Sequence, residues 1–162
     1  MIPEIKTILY TTDLSENARY AFNYAAAIAI KFDAKIIFFH VIEELSAGTK
    51  GHVISLLGES TWREMLQRKE NDLSEIVTER LKNFCDEMGT RLQECRHIMD
   101  DIKVAHGQPV EEILKYSQVC GCDMIVMGTH GYGLLADALM GSVSRRVVRK
   151  SIIPVMTVRL PE

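Results

Sequence analysis

Met124-Ile125-Val126-Met127-Gly128-Thr129-His130-Gly131, followed nine residues later by Gly141-Ser142 and a basic segment ending at Lys150, decides how this chain is read. The apolar run reads as a buried strand, the glycines as a tight loop, and Ser142 onward as a helix. That series suits an anion. Glycines let backbone N–H groups approach oxygens closely, and a helix N-terminus adds orphan donors and the positive end of a dipole. The expectation is a nucleotide phosphate site.

Working outward, short apolar runs alternate with helical patterns. Strands are expected at Ile5 to Tyr10, Ala34 to Val41, Ile98 to Ala105, Asp123 to Met127 and Val155 to Val158. A helix starting near Ser15 places Ala18, Ala21, Phe22, Ala25 and Ala29 on one face, small enough to lie close to a sheet. A second starts at a Thr61/Glu64 capping box, carries Leu73, Ile76, Val77, Leu81, Phe84 and Met88, and stops at Gly89, with Asn71-Asp72 as an interruption. A third starts at Pro109, with Glu111 and Glu112 complementing its dipole, and ends at Gly121; the last runs from Ser142 to Lys150. Glu43 to Thr61, punctuated by Gly48, Gly51 and Gly58, reads as a loop insertion. Alternation of this kind predicts an α/β fold: a doubly wound, five-stranded parallel sheet sandwiched by helices, with its ligand beyond the carboxyl ends of the strands where the winding reverses. If the first and fourth strands are neighbours there, Asp13 and the Gly128 loop face one crevice.

A chain of 162 residues fits one domain, residues 1–162, large enough to bury a core without staples. Its net charge of −3 with interspersed signs gives no basic field for nucleic acid. The N-terminus has no signal-peptide pattern and the apolar runs are too short to span a bilayer, so the expectation is a cytoplasmic protein without membrane association. Cys85, Cys95, Cys120 and Cys122 lack zinc-ligand spacing, and Cys120-Gly121-Cys122 is not a C-x-x-C pair; reduced, partly buried thiols are expected.

Three nucleotide motifs can be weighed against the glycine loop. Gly131-Tyr132-Gly133-Leu134-Leu135-Ala136 matches the dinucleotide fingerprint in form, but that motif follows the first strand and precedes an acidic residue by about 20 positions, where this chain has Ser151 to Pro154. A Walker A loop needs lysine before its Ser/Thr, and Gly141 is followed directly by Ser142. The turn Thr11-Thr12-Asp13-Leu14-Ser15 lacks the glycine-rich loop of the ATP pyrophosphatases. What remains is G-x-x-G, nine residues, then G-S/T, complete as Gly128, Gly131, Gly141 and Ser142. In this the chain resembles the universal stress protein family, specifically its ATP-binding branch. Thr12 to Ala18, His40-Val41, Gly107-Gln108-Pro109 and Pro154-Val155 extend the resemblance over nearly the whole chain.

The resemblance implies a Rossmann-like fold of the adenine nucleotide alpha hydrolase type. It implies that Thr11, Thr12 and Asp13 border the adenosine, that the Val41 backbone reads adenine, and that Gly128, Thr129, His130, Gly131 and Gly133 wrap ribose and phosphates. Gly141, Ser142, Val143 and Ser144 would then meet phosphate oxygens through N–H and hydroxyl donors. Thr11 stands where many relatives carry proline. ATP, or AMP or ADP, is the implied ligand, with Mg2+ bridging phosphates and no protein-only metal site. The implied role is a stress-associated regulator that signals through its nucleotide state and forms a homodimer through the edge strand Val155-Val158. Two other functions are compatible with the sequence. One is a slow ATP hydrolase, for which no general base, Walker lysine or arginine finger is evident; the other is a nucleotide-independent interaction module using the Glu43 to Gln67 surface.

Overall fold

The computed structural model describes residues 2–44, 47–91, 98–129 and 140–159. Its elements run β1 (Thr7–Thr11), α1 (Glu16–Phe32), β2 (Lys35–Glu43), α2 (Ala47–Leu57), α3 (Glu59–Arg91), β3 (Met99–Gly107), α4 (Pro109–Val119), β4 (Met124–Gly128), α5 (Ser142–Lys150) and β5 (Val155–Val158). The five strands form one parallel sheet in the order β3-β2-β1-β4-β5, so β1 lies between β2 and β4 and the winding reverses there.

Both faces of the sheet are covered, and side chains alternate between them as the pleat requires. Ile8, Tyr10, Ile36, Phe38 and Val126 join Ala21, Phe22, Ala25 and Ala29 of α1 and Phe84 of α3 in one core. Leu9, Ile37, Phe39, Ile125 and Met127 join Val110 and Ile113 of α4 and Val147 of α5 in the other. The alanines of α1 explain its close seat: with no side chain beyond Cβ, they let the helix axis approach the strands. Ser15 caps α1 by accepting from Ala18 N–H at 3.2 Å, and Asp33 closes it in the left-handed region. At the amino end of the sheet Asp123 Oδ2 accepts from Lys6 N–H (2.8 Å) and Thr7 N–H (2.9 Å), which pins the entry of β1 beside β4.

The segment expected to be a loop insertion is instead helical. Ala47–Leu57 forms α2, Gly58 (φ +80°) separates it from the next helix, and α3 begins at Glu59, ahead of the expected capping box. Gly48 and Gly51 lie within α2, so here glycine did not break a helix. Neither Asn71-Asp72 nor Gly89 interrupts α3, which runs unbroken to Arg91. Val77, Leu81 and Phe84 are buried as their helical spacing predicts, Phe84 in the sheet core, whereas Ile76 is 47% exposed. Other expected boundaries move by one to two residues; α5 and β5 have the expected limits.

Candidate functional site

The carboxyl ends of β1, β2 and β4 open into a cleft of about 490 Å³, closed on one side by the first turn of α5 and on another by the start of α4. Thr11, Thr12 and Asp13 enter it from β1, Val41 from β2, Gly128 and Thr129 from β4, and Gly141 to Ser144 from α5. His130, Gly131 and Gly133, also expected at the site, lie outside the described residues.

Each wall has a physical reason for its position. The turn after β1 is braced from within and from β2. Leu14 takes a left-handed conformation (φ 66°) while its N–H donates to Thr12 Oγ1 at 3.0 Å, and Asp13 Oδ1 accepts from Ser15 N–H (3.0 Å) and Ser15 Oγ (2.5 Å). His40 Nδ1 lies 2.7 Å from Thr12 O; a carbonyl only accepts, so Nδ1 carries the proton. These bonds supply the rigidity that proline would bring at Thr11, itself held in β1 opposite Phe39 and Met127. Burial pushes the His40 pKa below the usual histidine value, outweighing the Thr12 hydrogen bond and the Asp13 charge that favour the cation, so the ring is neutral at pH 7.

The β2 wall follows from strand alternation. Lys35 N–H donates to Lys6 O (2.8 Å) and Phe39 O accepts from Thr12 N–H (3.0 Å), so odd residues of β2 turn their peptide groups toward β1. Ile36 N–H donates to Ile98 O (2.6 Å) and Glu44 N–H to Gly107 O (3.2 Å), so even residues face β3. Val41 is the next odd residue after Phe39, and the pairing of β1 with β2 ends at Thr11 and Phe39. Its N–H and C=O therefore face the space beyond β1, a donor and an acceptor side by side on the cleft wall.

The β4 and α5 wall combines close packing with an uncapped helix end. A Cβ on Gly128 would lie 3.2 Å from Asn17 Nδ2 and 3.5 Å from Ala18 N, so the absence of a side chain there lets the first turn of α1 reach the strand end. Gly141 caps α5 in an extended conformation without a side-chain hydrogen bond, unlike Ser15 on α1, so among the described residues no side chain caps the first-turn N–H groups. Ser144 is buried; its hydroxyl is within 2.8 Å of Thr129 O and 3.1 Å of Gly141 O, its donor directed at these carbonyls. That hydroxyl positions the loop, so what Ser144 offers the cleft is its N–H. Ser142 is exposed at the mouth.

His40, Glu43, Pro109 and Ile113 also line the cleft and were not among the expected site residues. Pro109 at the start of α4 was legible as a helix start, but only the sheet order brings it beside β2. Among the described residues no group of three His, Cys, Asp or Glu converges as a metal site, and no helix is long and apolar enough to cross a membrane. Cys120 is a half-buried free thiol and Cys122 a buried one.

A doubly wound parallel sheet with a cleft at its switch point, walled by a braced acidic turn and a helix N-terminus, defines an α/β protein of the Rossmann-like class. A model of the universal stress protein family matches residues 4–159, and the chain belongs to that family. Universal stress protein MJ0577 of Methanocaldococcus jannaschii is 35% identical over 154 residues, spanning 95% of this chain and 94% of that protein. The solved structure of MJ0577 superposes with a TM-score of 0.72 at 30% identity, covering 99% of each chain. More distant structures share the fold. A universal stress protein in complex with cAMP gives a TM-score of 0.60 at 20% identity, covering 96% of this chain and 98% of that one. An Arabidopsis thaliana family protein with AMP bound gives 0.55 at 18%, covering 96% and 92%.

Proposed function

We propose that the cleft binds an adenine nucleotide, ATP in the first instance, and that the chain acts as a cytoplasmic stress-associated regulator whose signal is its bound or unbound state. The observation that carries this reading is the pairing of Val41 N–H and C=O, turned past the end of β1, with the uncapped first turn of α5 across the same cleft. Adenine presents an amino donor beside a ring-nitrogen acceptor, complementary to a peptide donor and acceptor on one strand edge. Phosphates suit a helix N-terminus. The β1 strand, whose turn carries Asp13 into the cleft, lies between β2 and β4 in the sheet, and a carboxylate there would accept from ribose hydroxyls. Magnesium would enter with the phosphates, held by their oxygens and by water, in keeping with its chemistry. That donor set asks nothing further of the described side chains.

The proposal includes a homodimer through β5, whose Val155–Val158 backbone forms the sheet edge beyond β4. The nucleotide reading is tested by calorimetric titration of ligand-stripped, folded protein with ATP, ADP and AMP. Saturable binding of an adenine nucleotide, weakened at least tenfold in Asp13→Ala, is expected; absence of binding by all three overturns it and favours an interaction module. Sedimentation at micromolar concentration checks the dimer, and a monomer alone would refute that part.

A further inference from the structure

Cys120-Gly121-Cys122 sits at the other end of the sheet from the cleft, where α4 turns into β4. Cys120 is the C-cap of α4, and Gly121 adopts φ +62°, so the chain folds back between the two cysteines. The turn brings both thiols onto one acceptor. Cys120 Sγ lies 3.6 Å and Cys122 Sγ 3.5 Å from Ser117 O, so both thiols converge on the same carbonyl. Cys120 is half-buried and Cys122 is 5% exposed, packed with Leu9, Ile125 and Val147. Spacing alone hides this, because C-x-C cysteines on a strand or helix lie apart; the left-handed glycine turns them to the same side.

We propose that Cys120 and Cys122 are an oxidisable dithiol that closes to an intramolecular disulfide when the protein meets a peroxide. Cys120 is the accessible member and reacts first: its thiolate sulfur attacks one peroxide oxygen, the S–O bond forms, the O–O bond breaks, and hydroxide leaves to become water. Cys122 then attacks the Cys120 sulfenic sulfur. The S–S bond forms, the S–O bond breaks, and the departing hydroxide takes the Cys122 proton as a second water. Two thiols are oxidised by two electrons and one peroxide is reduced to two waters.

Burial favours this product over a metal complex. The Cys122 thiol is pushed up to about 12 by burial and then by Cys120, so a buried thiolate is costly there, whereas a disulfide leaves both sulfurs neutral. No group of three potential ligands converges among the described residues, so the pair has no completed coordination shell.

The test uses the folded full chain, treated with hydrogen peroxide, alkylated with iodoacetamide and digested with trypsin. The peptide Tyr116 to Arg145 holds both cysteines. It should lose two hydrogens and both alkylation sites, and dithiothreitol should restore both. Cys120→Ser should abolish the change, and Cys122→Ser should leave a sulfenic acid at Cys120 that dimedone traps. Alkylation of both cysteines after peroxide, sulfinic acid at Cys120 with Cys122 alkylated, or a bond from either to another cysteine would overturn the proposal. The wild-type peptide mass decides the matter even if a variant fails to fold.

Discussion

Phe38 in the middle of the sheet and Leu56 on α2 are both large and apolar, yet Phe38 is wholly buried and Leu56 is 70% exposed. The difference extends to their surroundings. Phe38 meets Tyr10 at 5.4 Å between ring centroids, and Phe22 meets Phe84 at 5.2 Å, a cluster contributed by β1, β2, α1 and α3. On α2 no residue is buried. It adjoins α3 through the Gly58 turn and is tied to the strand exit by the Lys50–Glu44 ion pair at 2.8 Å. In the sheet, position is dictated by tertiary packing on two faces; in α2, helix is retained with little burial behind it. Substitutions should therefore have opposite consequences in the two regions.

The largest effect is expected at Phe38. Phe38→Ala removes a fully buried ring from the aromatic cluster and should cost about 3–5 kcal/mol in urea unfolding, whereas Leu56→Ala should stay within about 0.5 kcal/mol. Equal losses would mean that α2 is packed as tightly as the sheet and would break the contrast. Next comes Gly128→Ala. Its new Cβ would crowd Asn17 and the Ala18 backbone, at a cost of about 1–3 kcal/mol and with weaker nucleotide binding as the first turn of α1 is displaced. Unchanged stability and affinity would show that α1 yields freely at this point. Tyr10→Phe should follow at about 1 kcal/mol, because the Tyr10 hydroxyl donates to Ala18 O at 2.6 Å inside the core. An unchanged denaturation midpoint would discount that bond.

The same contrast explains what was legible in the sequence. The strands were readable because their apolar runs are short, β-branched and bounded by turn residues, and α5 and β5 could be delimited because Gly141 and Pro154 mark their starts. The Ala47–Leu57 helix escapes a reading of the sequence because the segment around it, Glu43 to Thr61, has three glycines and no apolar stripe. Periodicity detects burial, and α2 buries nothing, so its helix left no pattern to find. In the site, Asp13, Val41 and the Gly128 segment were legible as strand ends. His40, Glu43, Pro109 and Ile113 were not, since their place in the cleft depends on β2 running past the end of β1 and on α4 starting beside it. The sequence accounts for Gly128 by close approach to a ligand; the structure adds a second reason, its approach to α1.

The smallest predicted effect runs in the opposite direction. Gly51 lies inside α2, and a Cβ built on it meets nothing within 4 Å. Its φ is not in the left-handed region, so alanine fits without strain, unlike at Gly58, where φ is +80°. Glycine in a helix interior is disfavoured because the unfolded chain has more backbone freedom to lose, and alanine removes part of that freedom at no packing cost. Gly51→Ala should therefore raise local helix stability by about 0.5–1 kcal/mol, read as slower amide hydrogen exchange across Ala47–Leu57 with exchange in β1 and β4 unchanged. Gly128→Ala and Gly51→Ala are the same chemical change made on opposite sides of the comparison. If Gly51→Ala destabilises as Gly128→Ala does, α2 has a covering surface and its exposure cannot be what separates it from the sheet.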